Sequence, residues 1–147
     1  MISLKPVTKI NFDDAIKISV TPKQKLIISD VVYSLAECYV YPKILKPFLV
    51  LNKDIPVGFI LFNIEEKESK YGFARIMIDQ HHQGLGYGKK AVILGIQYLK
   101  AMGAKVIELS HLKENPNPVK LYKSLGFKYT GKLDYDGGYM MELIVNN

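Results

Sequence analysis

Gln83-Gly84-Leu85-Gly86-Tyr87-Gly88-Lys89-Lys90 joins two segments of different hydrophobic period. Before it, Phe73-Ala74-Arg75-Ile76-Met77-Ile78 is an apolar run of strand composition; after it, Val92, Ile96, Leu99 and Met102 fall at helical spacing within Ala91 to Met102. A strand, a glycine loop and a helix therefore meet here. Glycine at alternate positions removes every Cβ that would hold a ligand off the backbone, and it permits φ values that turn successive N–H groups into one concavity. The first turn of the following helix adds unpaired N–H groups and the positive end of its dipole. The stretch reads as a cradle for phosphate oxygens.

Two common cradles do not fit. A dinucleotide fingerprint, G-x-G-x-x-G, counted from Gly84 or Gly86 meets Lys89 or Ala91 where its last glycine belongs. A P-loop ending at Gly88-Lys89 requires glycine and a hydroxyl where Gln83 and Lys90 stand.

Composition narrows the class. A chain of 147 residues with 48% hydrophobic content is the size of one ordinary domain, expected to span 1–147, with no apolar run long enough to cross a membrane. No secretory signal is evident after Met1, and the single cysteine, Cys38, gives neither an internal disulfide nor a zinc cluster, so a cytoplasmic location is expected. The excess of 20 Lys+Arg over 14 Asp+Glu gives a net charge of +6, but the basic residues are dispersed. A polyanionic cofactor explains that charge as well as nucleic acid does.

Along the chain, residues 2 to 8 read as a strand. Asn11-Phe12-Asp13-Asp14 opens a helix that Pro22 interrupts, and a second runs from about Asp30 to Tyr39 with Val31, Val32, Leu35 and Ala36 as its apolar stripe. Pro42 and Pro47 bound a linker before a meander of three strands: Phe48 to Leu51, Val57 to Phe62, and a third ending at Asp79. Beyond the cradle helix, Gly103 is a stop, Val106 to Leu109 a strand, Asn115-Pro116-Asn117-Pro118 the opening of a helix from Val119 to Leu125, and Gly126 its end. Strands at Phe127-Lys128-Tyr129 and from Tyr139 to Val145 follow. The order β-α-α-β-β-β-α-β-α-β-β predicts a mixed α/β (α+β) fold, a mainly antiparallel central sheet flanked by helices.

Gln83-Gly84-Leu85-Gly86-Tyr87-Gly88 fits the pattern Gln/Arg-x-x-Gly-x-Gly/Ala and resembles the coenzyme A loop of the GCN5-related N-acetyltransferase (GNAT) superfamily. The element order is similar to that family's, and Asn115 to Phe127 resembles its Asn-x-x-Ala-x-x-Leu-Tyr-x-x-x-Gly-Phe segment, with Pro118 in place of the small residue. The resemblance implies an N-acetyltransferase with acetyl-CoA as co-substrate, acting by direct attack of a primary amine. It implies that the backbone of Gln83, Gly84, Leu85, Gly86, Tyr87, Gly88 and Lys89 holds the phosphates and that Ile76, Met77 and Ile78 pair with the pantetheine arm, the Ile78 amide contacting the oxyanion. It further implies Asn115 on the cofactor side and Tyr122 beside the sulfur.

The chemistry sets its own requirements. An alkyl ammonium with a pKa near 10.4 must lose a proton before attack, and the departing thiolate must gain one. Tyr122, a phenol, is the candidate proton donor; its plain alternative is an aromatic packed with Leu121 and Leu125, as Asn115 is alternatively a helix cap. For the base, Asp79, Glu37, Glu66 and a water all stand open, with Asp79 alternatively a loop cap. His81 and His82 lack partners at ligand spacing and read as loop residues, His111 stays open, and no metal is expected.

Glu37-Cys38-Tyr39-Val40-Tyr41 and Gly131 to Gly137 resemble segments of bacterial spermine/spermidine N-acetyltransferases, implying a polycation pocket that includes Glu37, Tyr39 and Asp79. Carboxylates and tyrosines suit such a ligand. Against it stand Ala74 and Arg75, where an acid is usual, and the positive net charge; protein or peptide N-termini and other small amines are the alternatives. A non-catalytic coenzyme A module and a basic nucleic-acid binder are the readings from other classes. Partners are expected to be the amine and a second copy paired through an exposed final strand, with neither membrane nor nucleic acid.

Overall fold

The computed structural model describes residues 1–145. Seven strands, β1 (Ile2–Pro6), β2 (Leu45–Asn52), β3 (Ile55–Glu65), β4 (Lys70–Ile78), β5 (Val106–His111), β6 (Lys128–Leu133) and β7 (Tyr139–Ile144), form one sheet in the order β1-β2-β3-β4-β5-β7-β6. Every pairing is antiparallel except β4 with β5. Helices α1 (Phe12–Lys17), α2 (Pro22–Lys25) and α3 (Val31–Val40) precede the meander, and α4 (Tyr87–Ala101) and α5 (Val119–Ser124) follow it. The mixed, mainly antiparallel sheet matches expectation, with α2 as an added turn of helix. The edge strands are β1 and β6; the final strand β7, expected at an edge, is enclosed between β5 and β6.

Two prolines act differently from their sequence reading. Helix α1 ends at Lys17, where Ile18 turns extended, so Pro22 interrupts nothing. It begins α2: Thr21 and Gln24 form a reciprocal capping box, Thr21 Oγ1 accepting the Gln24 N–H at 3.3 Å and Gln24 Oε1 accepting the Thr21 N–H at 3.1 Å. A proline at the first helical position loses no hydrogen bond, because that N–H has no intrahelical acceptor. Pro47 lies within β2, opposite Leu61, rather than in a linker. Its carbonyl takes the Val7 N–H at 3.0 Å just past the end of β1, so its missing donor falls where the ladder stops.

Helix α3 is capped by Asp30, whose carboxylate accepts the Tyr33 N–H at 2.7 Å. Its buried residues are Val31 and Ser34, with Leu35 and Cys38 packed beside them, while Val32 is 57% exposed. The stripe is rotated from the expected one because Ser34 is satisfied inside, its hydroxyl donating to Asp30 O at 2.7 Å.

Strand β4 has two irregularities that shape the site. Leu61 pairs with Arg75 but Phe62 with Phe73, leaving Ala74 as a bulged residue that reverses the alternation of side chains. Tyr71 and Phe73 therefore join the core beneath α4, and after the bulge Met77 joins the core beneath α1 and α3. On its other edge β4 meets β5 in register only at Gly72 and Glu108. A Cβ on Gly72 would lie 2.4 Å from the Glu108 carbonyl oxygen, so glycine is what permits that approach. Beyond it the strands part, and the far half of β4 has β3 along one edge only.

The α4 core packs rings against bare backbone. A Cβ at Gly95 would meet Phe73 Cε1 at 2.5 Å and Phe62 Cε1 at 3.2 Å. Phe62 is itself hemmed in by the rings of Phe48, Phe73 and Tyr98. Overpacking costs about 1–3 kcal/mol, and alanine recovers about 1 kcal/mol of helix propensity. With ring carbons as near as 2.5 Å the overpacking falls near the top of that range, so Gly95→Ala is expected to destabilise the fold by a net ~2 kcal/mol, read as a lower urea midpoint at unchanged slope. An unchanged midpoint would contradict this packing.

Candidate active site

The gap where β4 leaves β5 opens into a cleft of about 360 Å³. Ile76 and Ile78 of β4 form one wall, the glycine loop and the start of α4 another, and Leu121 and Tyr122 of α5 a third, with Asn115 above them. Gln24 and Ile28, from α2 and the turn after it, close the remaining side. Met77 points through the sheet instead, 2% exposed, so the predicted run Ile76, Met77 and Ile78 presents side chains to both faces.

The loop has the geometry of an anion cradle. Gly84 and Gly86 take φ of +79° and +82°, and an added Cβ at either would meet nothing within 4 Å, so the space before them is open. Gly86 is the N-cap of α4 and supplies no side-chain cap. The first-turn N–H groups at Tyr87, Gly88 and Lys89 thus lack side-chain partners, as an incoming oxyanion requires. Lys89 and Lys90 also stand in that turn, where no acidic residue is present. Cations are unfavourable at a helix N-terminus by the dipole alone, and a bound diphosphate reverses the sign. Leu85 is 60% exposed, and the Gln83 side chain turns back, donating to Ile78 O at 2.9 Å and Gln24 Oε1 at 3.0 Å. The residues present fit coenzyme A.

Tyr122 is 8% exposed, lies edge-on to Phe127 at 6.0 Å between ring centroids, and lines the cleft. Burial pushes its phenol up to about 12. The packed and the cleft-facing descriptions hold together for this residue. Asn115 does not cap α5: Pro118 is the N-cap, without a side-chain hydrogen bond, and Asn115 lines the cleft.

None of the three residues predicted for the acceptor, Glu37, Tyr39 and Asp79, lines the cleft. Burial by itself would raise the Asp79 carboxyl, but hydrogen bonds from the Ser19 and His81 N–H groups and from His82, with the nearby His81 charge, outweigh it and hold Asp79 below its ordinary value. Asp79 is the cap of the turn after β4. Tyr39 is 88% exposed at the end of α3. Glu37 forms an ion pair with Arg75, whose guanidinium also donates to Ser34 Oγ at 3.2 Å and lies 5.5 Å from the centroid of the Tyr33 ring.

A second cavity, about 500 Å³, opens on the opposite face of β4 between α1, α2 and α3, with Met77 as its floor and Lys25, Ile28, Asp30 and Tyr33 among its walls. Beside the Glu37–Arg75 pair comes the turn between β6 and β7. Asp134 organises that turn, accepting the Asp136 and Gly138 N–H groups at 2.9 and 2.7 Å and the Ser110 hydroxyl at 2.6 Å. Asp136 chiefly, then slight desolvation, Glu37 and Asp134 raise the Tyr135 phenol against the opposing Arg75 charge. The two segments singled out in the sequence, around Glu37 and around Tyr135, thus share one electrostatic environment.

Of the histidines, His111 is buried with both ring nitrogens used: Nδ1–H donates to Leu112 O at 3.0 Å and Nε2 accepts from Tyr129 Oη at 2.8 Å. His82 touches the cleft beside the glycine loop while its Nδ1 lies 3.3 Å from Asp79. Among the described residues no group of three or more His, Cys, Asp and Glu side chains could hold a metal ion, and no helix is long and apolar enough to cross a membrane. Sequence reasoning missed Gln24 and Arg75 as site residues. Thr21-Pro22-Lys23-Gln24 carried a legible capping-box signal for the first; the Arg75 pairing is long-range and had none.

Residues 25–127 match the model of the acetyltransferase (GNAT) family, and the chain belongs to that family. It is an N-acetyltransferase that uses acetyl-CoA. Among similar proteins, the spermine/spermidine N(1)-acetyltransferase of Bacillus subtilis is 31% identical over 112 residues, 71% of each chain. The crystal structure of spermidine N-acetyltransferase from Vibrio cholerae in complex with CoA and spermine superimposes with a TM-score of 0.78 over 97% of this chain and 95% of that one, at 17% identity. The ribosomal-protein-S18-alanine N-acetyltransferase from Escherichia coli gives a TM-score of 0.73 over 100% and 96%, at 16% identity. The fold is therefore common to enzymes with unlike acceptors.

Proposed function

We propose that the chain transfers the acetyl group of acetyl-CoA to a polyamine of the spermine/spermidine kind, by direct attack of a primary amine in a ternary complex. The backbone of residues 83–89 would hold the diphosphate, the free edge of β4 at Ile76–Ile78 the pantetheine arm, and Asn115 would sit beside it. Bound there, acetyl-CoA supplies an activated acyl thioester. Tyr122 keeps its proton throughout the physiological range. A phenol near 12 is a weaker acid than a thiol, whose pKa is about 8.5. Tyr122 therefore acts first as a hydrogen-bond donor to the departing sulfur, and passes on a proton that the attacking nitrogen gives up.

Of the candidate bases, Asp79 is capped by N–H groups, Glu37 is paired with Arg75, and Glu66 lies in the turn between β3 and β4. Water-mediated loss of the ammonium proton is what this favours. The polyamine assignment is supported by the carboxylates near Tyr135: Asp136, Glu37 and Asp134 all act on its phenol, with Arg75 opposing them. Three carboxylates to one guanidinium, with an exposed phenol, suit a multiply charged amine. Identity with the Bacillus subtilis enzyme points the same way.

The test is thiol release from acetyl-CoA with spermine, spermidine, short diamines, amino acids and peptides. Spermine and spermidine are expected to exceed amino acids and peptides at least tenfold in kcat/KM. Release with peptides alone would overturn the acceptor, and release with no amine the transfer itself.

A further inference from the structure

The wall between the two cavities is held by Ile28, packed on the core beneath α1 and α3, and by one side-chain hydrogen bond. Residues 21–29 run between the buried anchors Val20 and Val31, 5% and 1% exposed, yet none of the nine is itself buried. Gln24 faces the cofactor cleft, Lys25 faces the second cavity, and Ile28 lines both. The backbone hydrogen bonds of this segment are internal, closing α2 and the turn after it. Among the described residues, only one hydrogen bond ties positions 21–29 to another part of the chain: Gln83 Nε2 donating to Gln24 Oε1 at 3.0 Å.

Both amide hydrogens of Gln83 are used. One goes to Gln24 and the other to Ile78 O at 2.9 Å, so this side chain clips α2 to the end of β4 and to the first residue of the cradle. On the other side, Gln24 Oε1 also accepts the Thr21 N–H and so holds the capping box. A movement of residue 83 is thereby delivered to the start of α2, and through α2 to Ile28.

We infer that Gln24 is a positioning residue: through Gln83 it couples occupancy of the cradle to the placement of residues 21–29, so that cofactor binding finishes the wall of the cavity on the opposite face of β4. The inference rests on the cradle being the coenzyme A site and not on which amine is the acceptor. A lightly packed segment is the kind of element a single polar tie can order, because few apolar contacts compete with it. Ordering of the cradle by its ligand then lowers the cost of ordering its neighbour.

Hydrogen–deuterium exchange with coenzyme A alone tests this. In the wild type, coenzyme A is expected to slow exchange in 83–90 and also, at least about fivefold, in 21–29. Gln24→Leu cuts the bond from the side of α2 and is expected to keep protection of 83–90 and lose it in 21–29. Thr21→Ala breaks the capping box but leaves the Gln24–Gln83 bond, and is expected to keep the coenzyme A protection of 21–29, which separates the coupling from fraying of α2. Gln24→Glu retains an acceptor oxygen and should restore the wild-type response. Protection of 21–29 in Gln24→Leu equal to wild type would overturn the coupling, as would a wild type in which 83–90 alone responds. A wild type in which neither segment responds would remove the cradle assignment together with the coupling.

Discussion

Tyr122→Phe is expected to lower kcat by about 10²–10⁴-fold while the KM for acetyl-CoA stays within a few-fold. The substitution deletes one oxygen at the edge of the cofactor cleft and leaves the ring against Phe127, so packing changes little. What is lost is the donor that faces developing charge on sulfur, an interaction of the transition state rather than of binding. The pH profile carries a second signature. Burial raises the phenol from 10 to about 12, so it remains protonated across the pH range of the assay. The rising limb of kcat/KM, set by deprotonation of the amine, is therefore expected to be the same in wild type and variant, and no falling limb assignable to Tyr122 should occur below about pH 11. The stability sign follows from the same shift: the contribution of the buried neutral phenol is complete below pH 10 and lost as pH rises through about 12. Steady-state kinetics between pH 6 and pH 10, roughly, would read the profile. An unchanged kcat would mean that Tyr122 only packs.

Gly86→Val is expected to weaken coenzyme A binding by about 10²-fold and to leave the fold standing. Gly86 sits at φ +82°, where a residue with a Cβ is strained by about 1–2 kcal/mol and a β-branched one by more. Nothing of the protein lies within 4 Å of the new Cβ, so no clash disturbs the core. The branch would instead project into the open mouth of the cradle and hold an oxyanion off the N–H groups. Titration calorimetry with coenzyme A and thermal unfolding separate the two effects. A variant that binds as wild type would contradict the cradle, whereas Gly95→Ala, which disturbs packing beneath α4, should lower stability.

The parts of this molecule that could be read from its sequence are those set by local chemistry. Alternate glycines between a strand-period and a helix-period segment gave the cradle, and Asp30 before Val31 gave the start of α3. What escaped depended on distance along the chain. Pro22 reads as a breaker unless Thr21 and Gln24 are weighed with it. Pro47 reads as a linker unless one knows that β1 ends opposite it. The bulge at Ala74, which decides that Ile76 and Ile78 face the cleft by the glycine loop and Met77 the other cavity, arises from pairing with Leu61 and Phe62. Arg75 and Glu37 are separated by 38 residues, and the tie from Gln83 to Gln24 spans 59. Asp79 was legible as a site-adjacent acid, but its engagement by Ser19 belongs to the folded chain.

A crystal structure with coenzyme A tests the central claim most directly, that bare N–H groups of the glycine loop hold a diphosphate and so bring a thiol to a phenol. The expected result is phosphate oxygens on the N–H groups of residues 84–89, the pantetheine arm along the free edge of β4, and the sulfur within hydrogen-bond reach of Tyr122 Oη. Coenzyme A bound elsewhere, or a sulfur remote from Tyr122, would contradict it.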